Sequence, residues 1–161
     1  KQNTNYSVGL EVFDVYKRDY DWGLGLLDYK NTMATATLYY RNYGSIPFDM
    51  RLTAGEYLAG DKGLTLDLSR RFKSGFTLGV FASKTNLSAE EFGEGSFDKG
   101  FYIAIPTKMF YSDYTTGNIS FGLHPLTKDG AALLNQHNAL NSLLGDTNAL
   151  SLRRDWEDIL N

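Results

Sequence analysis

Apolar and polar residues alternate along most of the first 126 positions of the chain. Tyr6, Val8, Leu10 and Val12 fall on one side, and Ser7, Gly9 and Glu11 on the other. A repeat of two residues marks a β-strand whose faces meet different surroundings. Phe13 and Val15 break the alternation before Tyr16, where a bulge would fit. Lys17 to Gly23 reads as a charged turn, and Leu24 to Asn42 as a long extended stretch with Thr35, Thr37 and Tyr39 opposite Ala36, Leu38 and Tyr40. Folding these two arms about Asp21 sets Arg41 against Lys1. A turn at Asn42 to Pro47, punctuated by Gly44 and Pro47, leads into a third strand from Phe48 to Leu58. After Ala59 to Gly63 comes the cleanest pattern: Leu64, Leu66 and Leu68 alternate with Thr65, Asp67 and Ser69 up to Phe72. Lys73-Ser74-Gly75 is a short hairpin turn. Phe76, Leu78 and Val80 then alternate with Thr77, Gly79 and Phe81. Phe101, Ile103 and Ile105 alternate with Tyr102 and Ala104. After a polar loop from Thr107 to Gly117, Ile119, Phe121 and Leu123 alternate with Ser120, Gly122 and His124 on a last strand from Asn118 to Leu126.

The pattern predicts seven strands in an up-and-down meander over residues 1–126. Both arms of the first hairpin exceed the ~5–6 residues common in soluble sheets. Single-chain bacterial barrels have an even number of strands, from about eight upward. Seven strands therefore need completion by residues outside this chain, by another chain, or by a strand the pattern does not reveal; otherwise two edges stay open. Residues 127–161 read as a tail with short helices. Asp129 can cap one from Gly130 to Gln136. Ser151 to Leu160 places Leu152, Trp156, Ile159 and Leu160 on one face of another.

Composition narrows this picture only partly. The 161 residues suffice for one domain with a core, and a net charge of -3 argues against nucleic acid as partner. Without cysteine there is neither disulfide nor thiolate metal site. Eleven Tyr, ten Phe and 16 Gly suit a barrel with aromatic girdles and tight turns. An ordinary soluble β-sandwich can share that composition, and on composition alone it is the better reading. No apolar run approaches the ~20 residues of a membrane-spanning helix, which leaves barrel strands of ~9–11 residues open. The chain starts on Lys1 and not on Met, and is expected to be a piece of a longer precursor.

Ser88 to Pro106, SAEEFGEGSFDKGFYIAIP, is an acidic, glycine-punctuated loop running into an alternating strand. It resembles the signature of the YjbH/GfcD family. So do Lys17 to Tyr40, with Arg18-Asp19-Tyr20-Asp21 and Leu27-Asp28-Tyr29, and Gly55 to Asp61 continuing into Leu66 to Phe72. His124 to Gly130 resembles the family's close, so the likeness runs from about Tyr6 to Gly130. The resemblance implies the C-terminal part of an outer-membrane β-barrel protein tied to exopolysaccharide and group 4 capsule production. The expected fold is an all-β, antiparallel, up-and-down transmembrane β-barrel section of about seven strands, located in the bacterial outer membrane. The expected role is export, secretion or surface assembly of a polysaccharide, without enzymatic bond-making and without a cofactor. The expected partners are outer-membrane lipid, polysaccharide, and remaining barrel strands from a missing N-terminal portion or another chain. Such barrels commonly end on an aromatic strand; this chain ends on Asn161, a departure from that pattern. A soluble or periplasmic carbohydrate-binding β-barrel without a transport role is the competing reading.

In a meander every second connection lies on the same rim, so the three family-like loops converge. Arg18, Asp19, Tyr20, Trp22, Tyr57, Asp61, Glu90, Glu91, Phe92, Glu94, Asp98 and Lys99 are the glycan-binding or rim candidates, Phe97 among them as a further aromatic. Aromatic rings beside charged groups suit sugars; a packed rim that merely closes the barrel explains the same residues. Glu90, Glu91 and Glu94 follow no acid–base spacing and read more plainly as a solvated loop. Calcium at Glu91, Glu94 and Asp98 lacks an EF-hand spacing. His124 and His137 are too isolated for zinc or catalysis. Gly23-Leu24-Gly25 opens a strand and is no dinucleotide fingerprint. Arg70-Arg71 could meet an anionic sugar, but pairing with Asp67 or an interfacial position is the plainer expectation.

Overall fold

The computed structural model describes residues 5–18, 25–88, 97–110, 117–123 and 130–134, with backbone alone at 18 and 26–29. Seven strands follow in chain order: β1 (Tyr6–Arg18), β2 (Leu26–Asn42), β3 (Phe48–Glu56), β4 (Lys62–Arg71), β5 (Thr77–Thr85), β6 (Asp98–Pro106) and β7 (Asn118–Leu123). They form one antiparallel sheet of order β1-β2-β3-β4-β5-β6-β7, each strand paired with its sequence neighbours. Every stretch with a clean two-residue repeat is a strand. The sheet is not closed: among the described residues β1 and β7 do not pair.

Two expectations are corrected. Arg41 does not face Lys1: its N–H donates to the Asn5 carbonyl at 2.7 Å, and Tyr6 stands opposite Tyr40. The register shifts between Tyr16 and Arg18, just after Phe13 and Val15, and the hairpin folds about a point further along the chain than Asp21. An even shift keeps the apolar residues of both strands on one face, so periodicity alone did not fix it. No helix begins at Gly130 either. Gly130 and Ala131 form a turn, Ala131 with φ 58°, and residues 132–134 carry no helix. The expected helix from Ser151 to Leu160 lies outside the described residues. No helix among the described residues is long and apolar enough to cross a membrane.

The two faces of the sheet are opposite in character, and inverted relative to a water-soluble sheet. Thr35, Thr37, Thr53, Asp67, Ser83 and Thr85 are buried on one face. On the other, Val8, Leu10, Val12, Leu64, Leu78, Val80, Ile119, Phe121 and Leu123 are exposed, Leu10 at 78% and Phe121 at 72%. A one-layer sheet buries side chains on a face only by curling around it, so the polar face is the inward one. Gly55 shows how tight the curl is. Its φ is 151°, and a Cβ there would overlap the Ala34 carbonyl; its register partner Gly63 lies as closely against the Lys84 carbonyl. Glycine at such corners lets neighbouring strands coil past each other.

The outward apolar band has polar limits at both ends. Toward the β1–β2 connection it stops at Asp14, which accepts from Thr32 at 2.8 Å and pairs with Lys30 at 3.7 Å. The Glu56–Lys62 pair and Lys84 and Lys99 continue that limit on β3 to β6. At the other end stand rings: Tyr40 against Phe48 with centroids 6.0 Å apart, and Phe72 against Phe76 at 5.6 Å, with the Arg70 guanidinium over Phe72.

Candidate functional site

The inward face changes in layers from one end to the other. At the end of the β3–β4 connection it is filled. Met33 and Tyr57 have no exposed surface. The Tyr57 hydroxyl shares a 2.7 Å hydrogen bond with Thr65, which donates to Ser83 at 2.8 Å. Burial pushes the Tyr57 phenol above the usual tyrosine range, opposed by the Thr65 hydrogen bond and reinforced by the charge of Asp61. Chain beyond β7 seals this end. The Leu58 N–H donates to the Ala132 carbonyl at 3.0 Å, and the Ala131 N–H to Asp61 Oδ2 at 2.9 Å. The Asn31 amide braces the same turn through the Leu58 carbonyl at 2.8 Å.

A layer of hydroxyls follows, with Thr37 and Thr53 bonded at 3.0 Å. Thr35 Oγ1 is buried here and has no hydrogen-bond partner among the described residues. The third layer is charged. Arg51 Nη2 lies 3.4 Å from Asp67 Oδ2, and the Tyr102 hydroxyl donates to Asp67 Oδ1 at 3.1 Å. One residue pair further along, Arg41 grips Asp49 with Nε and Nη2, at 2.5 and 3.0 Å. These charges line a cavity of about 310 Å³ together with Tyr39 and Ser69, toward the end away from Tyr57. The inward face is thus packed at one end and open, charged and tyrosine-lined at the other.

The sequence candidates scatter over this arrangement. Tyr57 and Asp61 come together, but both are buried in the sealed end, Asp61 with Oδ1 unpartnered among the described residues. Asp98 and Lys99 point to opposite faces of β6: Asp98 is half-buried inward, while the Lys99 ammonium sits over the Phe97 ring at 4.6 Å on the exposed side. Arg18 ends β1. Asp19, Tyr20, Trp22, Glu90, Glu91, Phe92 and Glu94 lie outside the described residues, as do His124 and His137. Of the two positions expected for Arg70-Arg71, pairing with Asp67 is corrected: Arg51, directly opposite Asp67 in the β3–β4 register, takes that role. Arg70 instead faces outward over Phe72.

Sequence reasoning missed Tyr39, Arg41, Asp49, Arg51 and Tyr102. The signal for them was present. All five occupy the polar parity of their strands, and register carries Tyr39 to Arg51 to Asp67 across three strands. Functional residues concentrate in loops, whereas these five sit within strands, where only register shows which polar side chains meet.

The family model YjbH, described as "Exopolysaccharide biosynthesis protein YbjH", matches residues 1–145. A curated protein of Escherichia coli (strain K12), "Uncharacterized lipoprotein YjbH", is 35% identical over 147 residues. That alignment covers 89% of this chain and 21% of the relative, so the chain spans about a fifth of the length of the curated relative it matches. No solved structure matches the chain.

Proposed function

The chain belongs to the YjbH exopolysaccharide biosynthesis family, and from that premise we propose that it is a wall section of an outer-membrane β-barrel that helps exopolysaccharide or capsule material across or onto the outer membrane. The observation that carries this reading is the inverted sheet, apolar outside and polar inside, as a strand wall between lipid and a wet lumen requires. A cell-envelope location also fits the lipoprotein name of the Escherichia coli relative.

The slope of the apolar band supports the same reading. Through the strand register, Glu56 and Lys62 stand level with Val12, Lys84 with Leu10, and Lys99 with Val8. The charged limit therefore climbs six residues, from Asp14 to the level of Val8, over the five steps from β1 to β6. With ~3.3 Å per residue and ~4.8 Å between strands, that line is horizontal only if the strands tilt by about 40°. Outer-membrane barrels tilt their strands by ~35–45°. The ring pairs at the opposite limit climb in the same direction. Along β4 the band extends from Lys62 to Arg70, about 20 Å in height at that tilt, near the ~25 Å apolar band of such barrels.

The test uses the full-length protein in its membrane. Spin labels on cysteines replacing Val8, Leu66 and Val80 should be relaxed by oxygen, which partitions into lipid, more than by a water-soluble nickel chelate. A label replacing Thr53 should show the reverse. Release of the protein without detergent, with Leu66 labels open to the chelate, would overturn the barrel and favour the soluble or periplasmic carbohydrate-binding reading.

A further inference from the structure

We propose that the cavity at the open end of the inward face is a subsite for an uncharged, hydroxyl-rich saccharide segment. The proposal rests on the reading of this face as a wall exposed to polysaccharide, and it names the class of sugar that the wall accepts. The cavity, about 310 Å³, falls at the lower end of the ~300–1,000 Å³ of small-molecule sites. Tyr39 is half-buried in its lining, its ring passing over Gly9, where a Cβ would meet Cε2 at 3.4 Å. A ring held by its surroundings offers an apolar face at little entropic cost, and pyranose C–H faces pack on such rings.

Charge decides which sugar. Arg41 is bound through two hydrogen bonds to Asp49, and Arg51 pairs with Asp67, which also holds Tyr102. The two cations and two anions cancel. An incoming carboxylate or phosphate would have to expel Asp49 or Asp67 from its guanidinium, or lie beside both carboxylates unneutralised, and either costs free energy. Sugar hydroxyls face no such conflict. Each guanidinium uses only part of its donor set on its carboxylate, and each carboxylate keeps acceptor capacity. A hydroxyl both donates and accepts, so it can bridge the paired charges without breaking them. The packed Tyr57 end restricts approach to the open end.

The test titrates the full-length protein in detergent micelles with depolymerised exopolysaccharide of the producing strain, split by anion exchange into neutral and anionic oligosaccharides, and reads heat of binding. The neutral fraction should bind and the anionic fraction should bind more weakly. Tyr39→Ala should weaken the neutral fraction by about tenfold, the loss of one ring contact. Asp49→Asn frees Arg41 and should shift preference toward the anionic fraction, while a control at exposed Lys84→Gln changes neither. No binding of the neutral fraction, preference for the anionic fraction in the unaltered protein, or indifference to both substitutions overturns the proposal. Failure here with Leu66 labels still in lipid removes the subsite and keeps the barrel; binding by a protein released without detergent does the opposite.

Discussion

The Tyr102 hydroxyl reaches Asp67 at 3.1 Å although all of β5 lies between their strands. Gly79 opens the way: a Cβ at that position would overlap the Tyr102 ring. With Arg51 on its other oxygen, Asp67 ties β3, β4 and β6 together across the inward face. Gly79→Ala should therefore displace Tyr102 and destabilise the full-length protein by ~1–3 kcal/mol, the usual scale for overpacking. Tyr102→Ala removes the obstacle, so the double substitution should cost less than the two single costs added. Urea unfolding in micelles measures all three; strict additivity would separate Gly79 from Tyr102.

Leu66 and Asp67 are neighbours facing opposite surroundings. Arginine at Leu66, near the middle of the outward band, should cost ~2–4 kcal/mol in a bilayer and lower the fraction of heat-modifiable protein on gels. If Leu66→Arg assembles like the unaltered protein while Asp67→Leu cripples assembly, the outward face packs against protein instead of lipid.

How far the sequence disclosed this molecule depended on the kind of information each feature needs. Leu64 to Ser69 announces both strand and face, because alternation is local. The partner of Arg41 was misread because register depends on where the β1–β2 hairpin turns, and an even slip leaves the apolar pattern unchanged. The Arg51–Asp67 pair needed register on two strands and so escaped a reading by motif. Tyr57 and Asp61 suggested a rim beside a mouth; their burial depends on chain from beyond β7 returning to the β3–β4 turn, a long-range contact without periodicity to reveal it.

Among the described residues both edges of the sheet carry unpaired backbone, beside exposed Val8, Leu10 and Val12 on β1 and Phe121 and Leu123 on β7. Residues 1–161 expressed alone should associate through these edges and give aggregate, not a heat-modifiable monomer. Adding the rest of the polypeptide, or its natural partner chain, should suppress this. A discrete monomer from these residues by light scattering would show that the edges need no partner.

The Ala132–Leu58 hydrogen bond brings the chain after β7 to the end shared by the β1–β2, β3–β4 and β5–β6 connections. If that end faces the periplasm, where barrel C-termini normally lie, the acidic Glu90–Glu94 segment faces newly made polymer. The short Lys73 to Gly75 turn would then be extracellular, against the usual preference for short periplasmic turns. On intact cells Glu94→Cys should resist a membrane-impermeant thiol reagent and Ser74→Cys should react. The opposite pattern would turn uptake from the periplasm into attachment at the cell surface.

Every pairing in this sheet joins strands adjacent in the chain. Such a section can grow hairpin by hairpin, each step closing only a short loop, as low contact order allows. If the proposed barrel is completed by further strands, the slow, entropically costly event is the joining of β1 and β7 to them. Substitutions within the seven strands should then mostly change how fast the wall comes apart, and changes at its two margins how fast such a ring is made.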